Sequence, residues 1–286
     1  MFFLNNKGAI MKFSKQLLIG MLSVLPFTSY AQTQNITIDG DHGKLAAIMQ
    51  TPDIKGSYPL VIIMHGFTSD KEFVLLEQIA TSLEKNGIAS IRFDFNGHGK
   101  SEGRMQDMTI EKEIADAMAI WEYAKSLPYV TQIGFLGHSQ GGVIASMTAG
   151  RLAAAGGRVP AGVVLLAPGS VIKEACQGGK FFNARFDPAD PPEFIRCWGM
   201  MKLGREYLLT TQQLDIYGTA AAYEGPVLLL HGTKDTIVPM WCSEKYLETY
   251  GSRATLVKVD GENHLITRRK KEIIDRTVAF FQQIFD

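Results

Sequence analysis

The stretch Gly137-His138-Ser139-Gln140-Gly141 lies between a strand-like run, Gln132 to Leu136, and a helix-like run, Val143 to Arg151. The bare G-x-S-x-G pattern carries little weight, since it arises by chance in roughly one average chain in ten of this length. Its place on a strand-to-helix turn gives it mechanical content. Glycines flank the serine because the turn leaves no room for side chains, and the strain lifts the Ser139 Oγ clear of the backbone, where a base can reach it. A glycine-rich turn with a capping serine would use the same letters, so the reading depends on what the rest of the chain supplies.

Three segments supply it. Asp235, in His231-Gly232-Thr233-Lys234-Asp235, follows the apolar run Pro226 to Leu230, which reads as a buried strand. His264, in Gly261-Glu262-Asn263-His264, follows the strand-like run Thr255 to Val259. His65-Gly66-Phe67-Thr68 closes the apolar run Leu60 to Met64. Each of these could be an ordinary loop residue satisfied by its neighbours. Together, at strand ends and in the order Ser, Asp, His, they resemble the α/β-hydrolases, whose chain order differs from those of chymotrypsin and subtilisin. The expected roles are Ser139 as nucleophile, His264 as base and Asp235 as its orienting acid, with Asp260 as the competing carboxylate. The backbone N–H groups of Phe67 and Gln140 are the expected oxyanion donors.

The chain has 286 residues, 46% hydrophobic and 20% charged, enough for one large α/β domain. Lys+Arg and Asp+Glu are 29 each, and no basic stripe with interleaved aromatics suggests nucleic acid. Arg268-Arg269-Lys270-Lys271 reads as a solvated helix start, with a surface contact as the alternative. The N-terminus reads as a targeting segment: Lys12 and Lys15, an apolar stretch from Leu17 to Phe27 too short to span a bilayer, then Ser29-Tyr30-Ala31. Met11 is a second candidate start. Cleavage after Ala31 removes Lys7, Lys12 and Lys15 and no acid, leaving 26 minus 29, a charge of −3. The mature protein is then expected to be periplasmic or secreted, without stable membrane insertion; an uncleaved anchor is the alternative.

Past the leader, short strands are expected at Ile36 to Ile38 and Leu45 to Met49. Strand and helix then alternate: Tyr58 to Met64, a helix from Phe73 to Leu83 stopping at Asn86-Gly87, Ala89 to Phe95, and a helix with Ile110, Ile114, Ala117, Trp121 and Ala124 on one face. The elbow, a strand from Gly162 to Leu166, the strands ending at Gly232 and Gly261, and a last helix with Ile274, Val278, Phe281 and Phe285 complete the pattern. This alternation predicts an α/β fold with a mostly parallel central sheet covered by helices on both faces. Only the segment from about Ser170 to Tyr217 breaks the rhythm. It is expected to be an inserted cap with its own small helices, since a structureless loop of that length is improbable. The domain plan is a signal peptide at 1–31, core at 32–169, cap at 170–217 and core at 218–286.

Cys176, Cys197 and Cys242 allow one disulfide in an oxidising compartment. Cys176–Cys197 is the candidate pair, and three unpaired, partly buried thiols are the alternative. No cysteine or histidine spacing fits a metal site. Gly99-Lys100-Ser101 lacks the earlier glycine of a P-loop, and Gly97-His98-Gly99 with Gly103 has the wrong spacing for a dinucleotide loop. Asp94 and His98 are expected to hold their turn, or to fringe the pocket. No cofactor is expected.

Residues 58–168 are similar to bacterial feruloyl (cinnamoyl) esterases. The resemblance rests on His65-Gly66-Phe67-Thr68 with Lys71-Glu72, on Asp94-Phe95-Asn96-Gly97-His98-Gly99-Lys100-Ser101-Glu102-Gly103, and on Gly137-His138-Ser139-Gln140-Gly141-Gly142. His231-Gly232-Thr233-Lys234-Asp235 and Glu262-Asn263-His264 extend it through the second half. It implies an α/β-hydrolase with a small cap, acting on small-molecule or oligosaccharide esters of hydroxycinnamates. It also implies substrate contacts in the cap, for which Gln177, Asp187, Trp198 and Tyr207 are the candidates. A monoacylglycerol lipase-like or lysophospholipase-like enzyme, an aminopeptidase-like enzyme, and a non-catalytic binding protein on the same fold are the alternatives.

Overall fold

A long antiparallel hairpin leads into the protein, whose computed structural model describes residues 32–54 and 56–286. The expected leader therefore lies outside the described residues. The hairpin strands, β1 (Gln32–Gly40) and β2 (Gly43–Thr51), pair from Gln32↔Thr51 to Gly40↔Gly43. Both run longer than their apolar residues suggest, because ladder pairing satisfies the backbone of polar residues as well as apolar ones.

Alternation begins with β3 (Tyr58–Met64), α1 (Val74–Lys85), β4 (Ala89–Phe93) and α2 (Ile110–Ser126). It continues through β5 (Val130–His138), α3 (Gln140–Ala154) and β6 (Val163–Leu166). Thr109 caps α2 by accepting from the Lys112 N–H at 3.2 Å. After β6 comes the irregular segment: α4 (Ile172–Gln177), β7 (Lys180–Phe181), β8 (Ala184–Arg185), β9 (Phe194–Cys197), β10 (Met201–Gly204), α5 (Arg205–Thr211) and α6 (Ile216–Ala221). The core resumes with β11 (Val227–Gly232), α7 (Trp241–Tyr250), β12 (Ala254–Val259) and α8 (Lys270–Phe285).

One eight-stranded sheet runs in the order β1-β2-β4-β3-β5-β6-β11-β12. From β4 to β12 every neighbouring pair is parallel; β1 and β2 are antiparallel additions. Along β3, Leu60, Ile62 and Met64 enter a core with Trp121 of α2 and Ile144 of α3, while Val61 and Ile63 enter a second core with Leu76 of α1 and Phe281 of α8. Burial on both faces explains the uninterrupted apolar run. Because β3, β5, β6, β11 and β12 are parallel, the loops after them share one edge of the sheet, where ligands of open α/β sheets bind.

The irregular segment holds two small hairpins in addition to the small helices expected of it. Its two-residue turn at Phe182-Asn183 carries φ 49° on Phe182, and the loop Trp198-Gly199-Met200 carries φ 48° on Trp198. Hairpin turns ordinarily announce positive φ with glycine or asparagine at that position; Gly199 (φ 80°) does so in the second loop, but Phe182 and Trp198 hold positive φ where the letters give no such sign. The Cys176–Cys197 pairing is corrected. All three cysteines are free and buried, and Cys176 and Cys197 pack in the apolar core as small hydrophobes. Burial pushes their thiols up to about 12 and about 11.

Candidate active site

The turn from β5 into α3 is as tight as its glycines suggest. Ser139 sits at φ 56°, ψ −121°. A Cβ on Gly137 would lie 2.1 Å from the Gly141 carbonyl oxygen, and one on Gly141 would lie 2.4 Å from the carbonyls of Met64 and His65. The loops after β3 and β5 therefore touch backbone to backbone, and the half-buried Ser139 stands above that contact.

His264 reaches Ser139 from the loop after β12: its Nε2 is 3.0 Å from the Ser139 Oγ. Its Nδ1 lies 2.7 Å from the Asp235 Oδ2, in the loop after β11. The Asp235 Oδ1 accepts from the N–H groups of Ile237 and Val238, both at 2.8 Å, and the His231 Nε2 stands 3.2 Å from Oδ2. Burial pushes the Asp235 carboxyl up. The bonds from His231 and His264, the charge of His264 and the Val238 N–H outweigh that, and the group stays below the ordinary carboxylate range. Asp260 is exposed and accepts from the Thr233 hydroxyl at 3.2 Å, away from the histidine. Serine, imidazole and carboxylate in this line can move a proton from Oγ to Nε2 while a negative charge holds the imidazolium.

Two residues that sequence reasoning passed over hold His264 in place. The buried His138 donates its Nε2–H to the His264 carbonyl at 2.9 Å. Burial, together with the neighbouring His264, lowers it to about 3, so it is neutral. Glu262, fully buried, accepts from the N–H groups of Asn263 (2.7 Å), Thr267 (3.1 Å), Arg268 (3.0 Å) and Arg269, drawing the loop around its carboxylate. His138 was legible only as the variable second letter of the pentapeptide, and Glu262 as a polar residue in a turn.

The loop after β3 is fixed as firmly. The His65 Nε2 accepts from the Phe95 N–H at 3.2 Å, which leaves Nδ1 to donate to the Gly66 carbonyl at 2.8 Å. Asp94, fully buried, accepts from the Lys71 N–H (2.7 Å), the Lys71 Nζ (2.6 Å) and the Lys100 N–H (2.8 Å). Of the two sequence alternatives for Asp94, turn-holding is the one its bonds describe. A Cβ on Gly66 would lie 3.0 Å from the Ser139 Cβ, and one on Gly169 would lie 3.2 Å from the Gln140 nitrogen and 3.5 Å from the Ser139 Oγ. Small residues, Gly66 and Gly169, thus stand where any side chain would crowd Ser139 and the Gln140 nitrogen.

The Phe67 ring points into the irregular segment, 5.4 Å from Phe181, 5.5 Å and stacked on Phe182, and 6.2 Å from Trp198. Trp198 is 47% exposed and available to a ligand. The other three cap candidates are engaged elsewhere. Tyr207 is fully buried and donates its hydroxyl to the Gln140 Oε1 at 2.8 Å. The exposed Gln177 donates to the Gln212 carbonyl at 3.0 Å, and the exposed Asp187 accepts from the Ala189 N–H at 2.9 Å, each serving the segment's own backbone. Among the described residues, no group of three or more His, Cys, Asp or Glu side chains is placed to hold a metal ion, and no helix is long and apolar enough to cross a membrane.

A parallel sheet with helices on both faces, and a serine on a strained strand-to-helix turn, define a class of fold. The chain belongs to the α/β-hydrolase family, as a feruloyl esterase-like member. Est1E from Butyrivibrio proteoclasticus, solved with ferulic acid bound, is 30% identical, with TM-score 0.82 over 87% of this chain and 98% of its own. The serine aminopeptidase family profile matches residues 57–187, and the profile of TAP-like proteins matches residues 205–283. An esterase from Pyrococcus furiosus shares the fold at 21% identity, with TM-score 0.67 over 90% of this chain and 94% of its own. An uncharacterized 31.7 kDa protein from Escherichia coli is 29% identical over 100 residues, 34% of this chain and 35% of that protein, so the chain spans about a third of that relative's length.

Proposed function

We propose that this protein is an exported serine carboxylesterase that hydrolyses hydroxycinnamate esters of feruloyl type through an acyl-enzyme. His264 takes the Ser139 proton as Oγ attacks the ester carbonyl. Asp235 holds the imidazole tautomer and stabilises the imidazolium. The N–H groups of Phe67 and Gln140 hold the oxyanion, each contributing about 3 kcal/mol by analogy with other oxyanion donors. His264 then protonates the leaving alcohol, and water repeats the cycle on the acyl group. Export, with cleavage after Ala31, is part of the proposal.

The observation that carries this reading is the line Asp235 Oδ2, His264, Ser139 Oγ, at 2.7 and 3.0 Å, ending on a serine at positive φ. The likeness to Est1E with its bound ferulic acid supports the acyl group. So does an aromatic wall of Phe67, Phe182 and Trp198 beside the serine loop, which suits a planar acyl chain. The serine aminopeptidase profile favours a second reading, cleavage of aminoacyl amides. Turnover of methyl ferulate, a monoacylglycerol and an aminoacyl anilide by the purified protein separates them. The expected result is fastest turnover of methyl ferulate. An enzyme inert on it and fast on the anilide or the acylglycerol would retain the serine chemistry and lose the feruloyl assignment.

A further inference from the structure

Gln140 follows the nucleophile, and its backbone N–H is one of the two oxyanion donors in the function proposed above, on which this inference rests. Its side chain is buried and clamped at both ends. The Oε1 accepts from the Tyr207 hydroxyl at 2.8 Å, and the Nε2 donates to the Glu113 Oε2 at 2.7 Å, with the Met108 Sδ at 3.8 Å. Tyr207 belongs to α5 of the irregular segment and is fully buried; Glu113 belongs to α2 of the core and is 2% exposed. A line of buried hydrogen bonds therefore runs from the inserted segment, through the residue after the nucleophile, into a core helix.

Local bonding alone does not explain this arrangement. Ser139 stands at the N-cap of α3 and makes no side-chain capping bond, so the serine does not fix the first turn. The direction of the Gln140 N–H depends on the Ser139–Gln140 peptide plane, and a side chain held from two sides removes the freedom to rotate it. The Tyr207 ring is also 6.4 Å from the Phe67 ring, so one tyrosine touches the residues that carry both donors. Buried polar networks are costly unless complete. Here the Tyr207 hydroxyl and both ends of the Gln140 amide are bonded, and in either protonation state Glu113 keeps an oxygen that can accept.

We propose that Tyr207 and Glu113 are positioning residues that aim the Gln140 N–H through its side chain, so that the inserted segment completes the oxyanion site. The segment then acts on kcat for every ester, including acetyl esters with no aromatic acyl group to recognise. Tyr207 is a member of the reaction framework and not a substrate contact.

Tyr207→Phe keeps the ring and removes the hydroxyl. The expected result is a fall in kcat of about tenfold, equal for methyl ferulate and p-nitrophenyl acetate, with KM within about twofold on both. Glu113→Leu is expected to lower kcat on both esters similarly, and Glu113→Gln, which keeps an acceptor oxygen, to retain most of the rate. Tyr207→Phe combined with Gln140→Leu is expected to be no slower than Gln140→Leu alone, since all act through one amide. A raised KM for methyl ferulate alone, with kcat intact, would make Tyr207 a substrate contact and overturn the proposal. An unchanged kcat on both esters, with a lowered unfolding midpoint, would make the network merely structural and also overturn it. If Tyr207→Phe fails to fold, the Glu113 pair decides by the same readings. Esterase activity surviving Ser139→Ala removes the proposed function itself; a required Ser139 with an indifferent Tyr207 and Glu113 removes only this inference.

Discussion

Ser139 and Trp198 both hold positive φ, 56° and 48°, in surroundings that have little else in common. Ser139 is held by backbone pressed against backbone, on a turn closed from three sides by the loops of Phe67, Gly169 and His264. Trp198 stands at a hairpin tip, its N–H held by the Asn183 side chain at 2.8 Å and its ring tilted on Phe182 at 4.3 Å, with nearly half its surface exposed. Strain of either kind costs of order 1–3 kcal/mol and persists where surrounding structure over-determines it. At the elbow the surrounding backbone does so; at the tip a few side chains do, Asn183, Phe182 and Phe67. The elbow is built to hold a reacting group still and the hairpin tip to present an exposed aromatic surface, while the buried end of the same insert, at Tyr207, bonds back to Gln140 beside the nucleophile.

That contrast breaks most sharply at the serine. Ser139→Ala is expected to lower ester turnover by at least about a thousandfold, because the groups around the nucleophile act as a unit, while thermal unfolding stays near that of the parent. Turnover within tenfold of the parent in a folded variant would end the assignment. Asp235→Asn is expected to cost about a thousandfold or more through the wrong imidazole tautomer, and the exposed Asp260→Asn less than about twofold. Steady-state rates on a single ester decide between the two acids, and the reverse order would mean that the carboxylate bonded to His264 is not the working one.

The next effect is on stability. Lys71 and Asp94 form a buried pair at 2.6 Å, with side chains 3% and 0% exposed, that ties the Phe67 loop to the turn after β4. Removing one partner of such a pair leaves an uncompensated buried charge and costs about 3–5 kcal/mol. Lys71→Met should show a loss of that size in denaturant unfolding. A loss under about 1 kcal/mol would mean that backbone N–H groups alone satisfy Asp94.

Acid should distinguish the two regions as well. His138 is neutral in the folded protein down to about pH 3 and takes a proton near 6.5 once unfolded. Between those values the unfolded chain binds the extra proton, so stability falls as pH drops through that window. His138→Gln keeps a donor for the His264 carbonyl and removes the titration. Its unfolding midpoint is expected to decline less steeply than the parent's between pH 6.5 and about 3, with the two converging toward neutral pH. Parallel declines would show that other groups govern the acid limb.

Much of the core was legible because its signals are local. The apolar run Leu60 to Met64, the glycines around Ser139 and the order Ser139, Asp235, His264 each state a backbone requirement in letters. The supports were less legible because they depend on distance in the fold. Glu113 sits in the same stripe as Ile110, Ile114 and Ala117, and an acid there is a readable anomaly, but its partner Gln140 is 27 residues away. The insert was least legible. Its strands are two and four residues long, its turns place Phe182 and Trp198 where glycine is usual, and Cys176 and Cys197 serve as packing. The resemblance to feruloyl esterases made Gln177 and Asp187 candidates for substrate contacts, yet their bonds go to the insert's own backbone.

The smallest expected effect tests what the exposed tip is for. If Trp198 only shields Phe182 and Phe67, its removal should loosen the segment and leave the choice of ester alone. If it packs on a planar acyl group, truncation should weaken aromatic esters selectively, since an aromatic contact is worth about 0.5–1.5 kcal/mol beyond its area. Trp198→Ala is therefore expected to lower the ratio of kcat/KM for methyl ferulate over p-nitrophenyl acetate by roughly tenfold, close to 1.4 kcal/mol. The loss should fall on the aromatic ester, and the acetyl ester should keep its rate. This pattern is the opposite of the uniform loss expected for Tyr207→Phe, so the two variants together separate selection at the tip from alignment at the buried end of the same segment. An unchanged ratio for Trp198→Ala would move acyl selection into the core, to Phe67 and the loop that carries it.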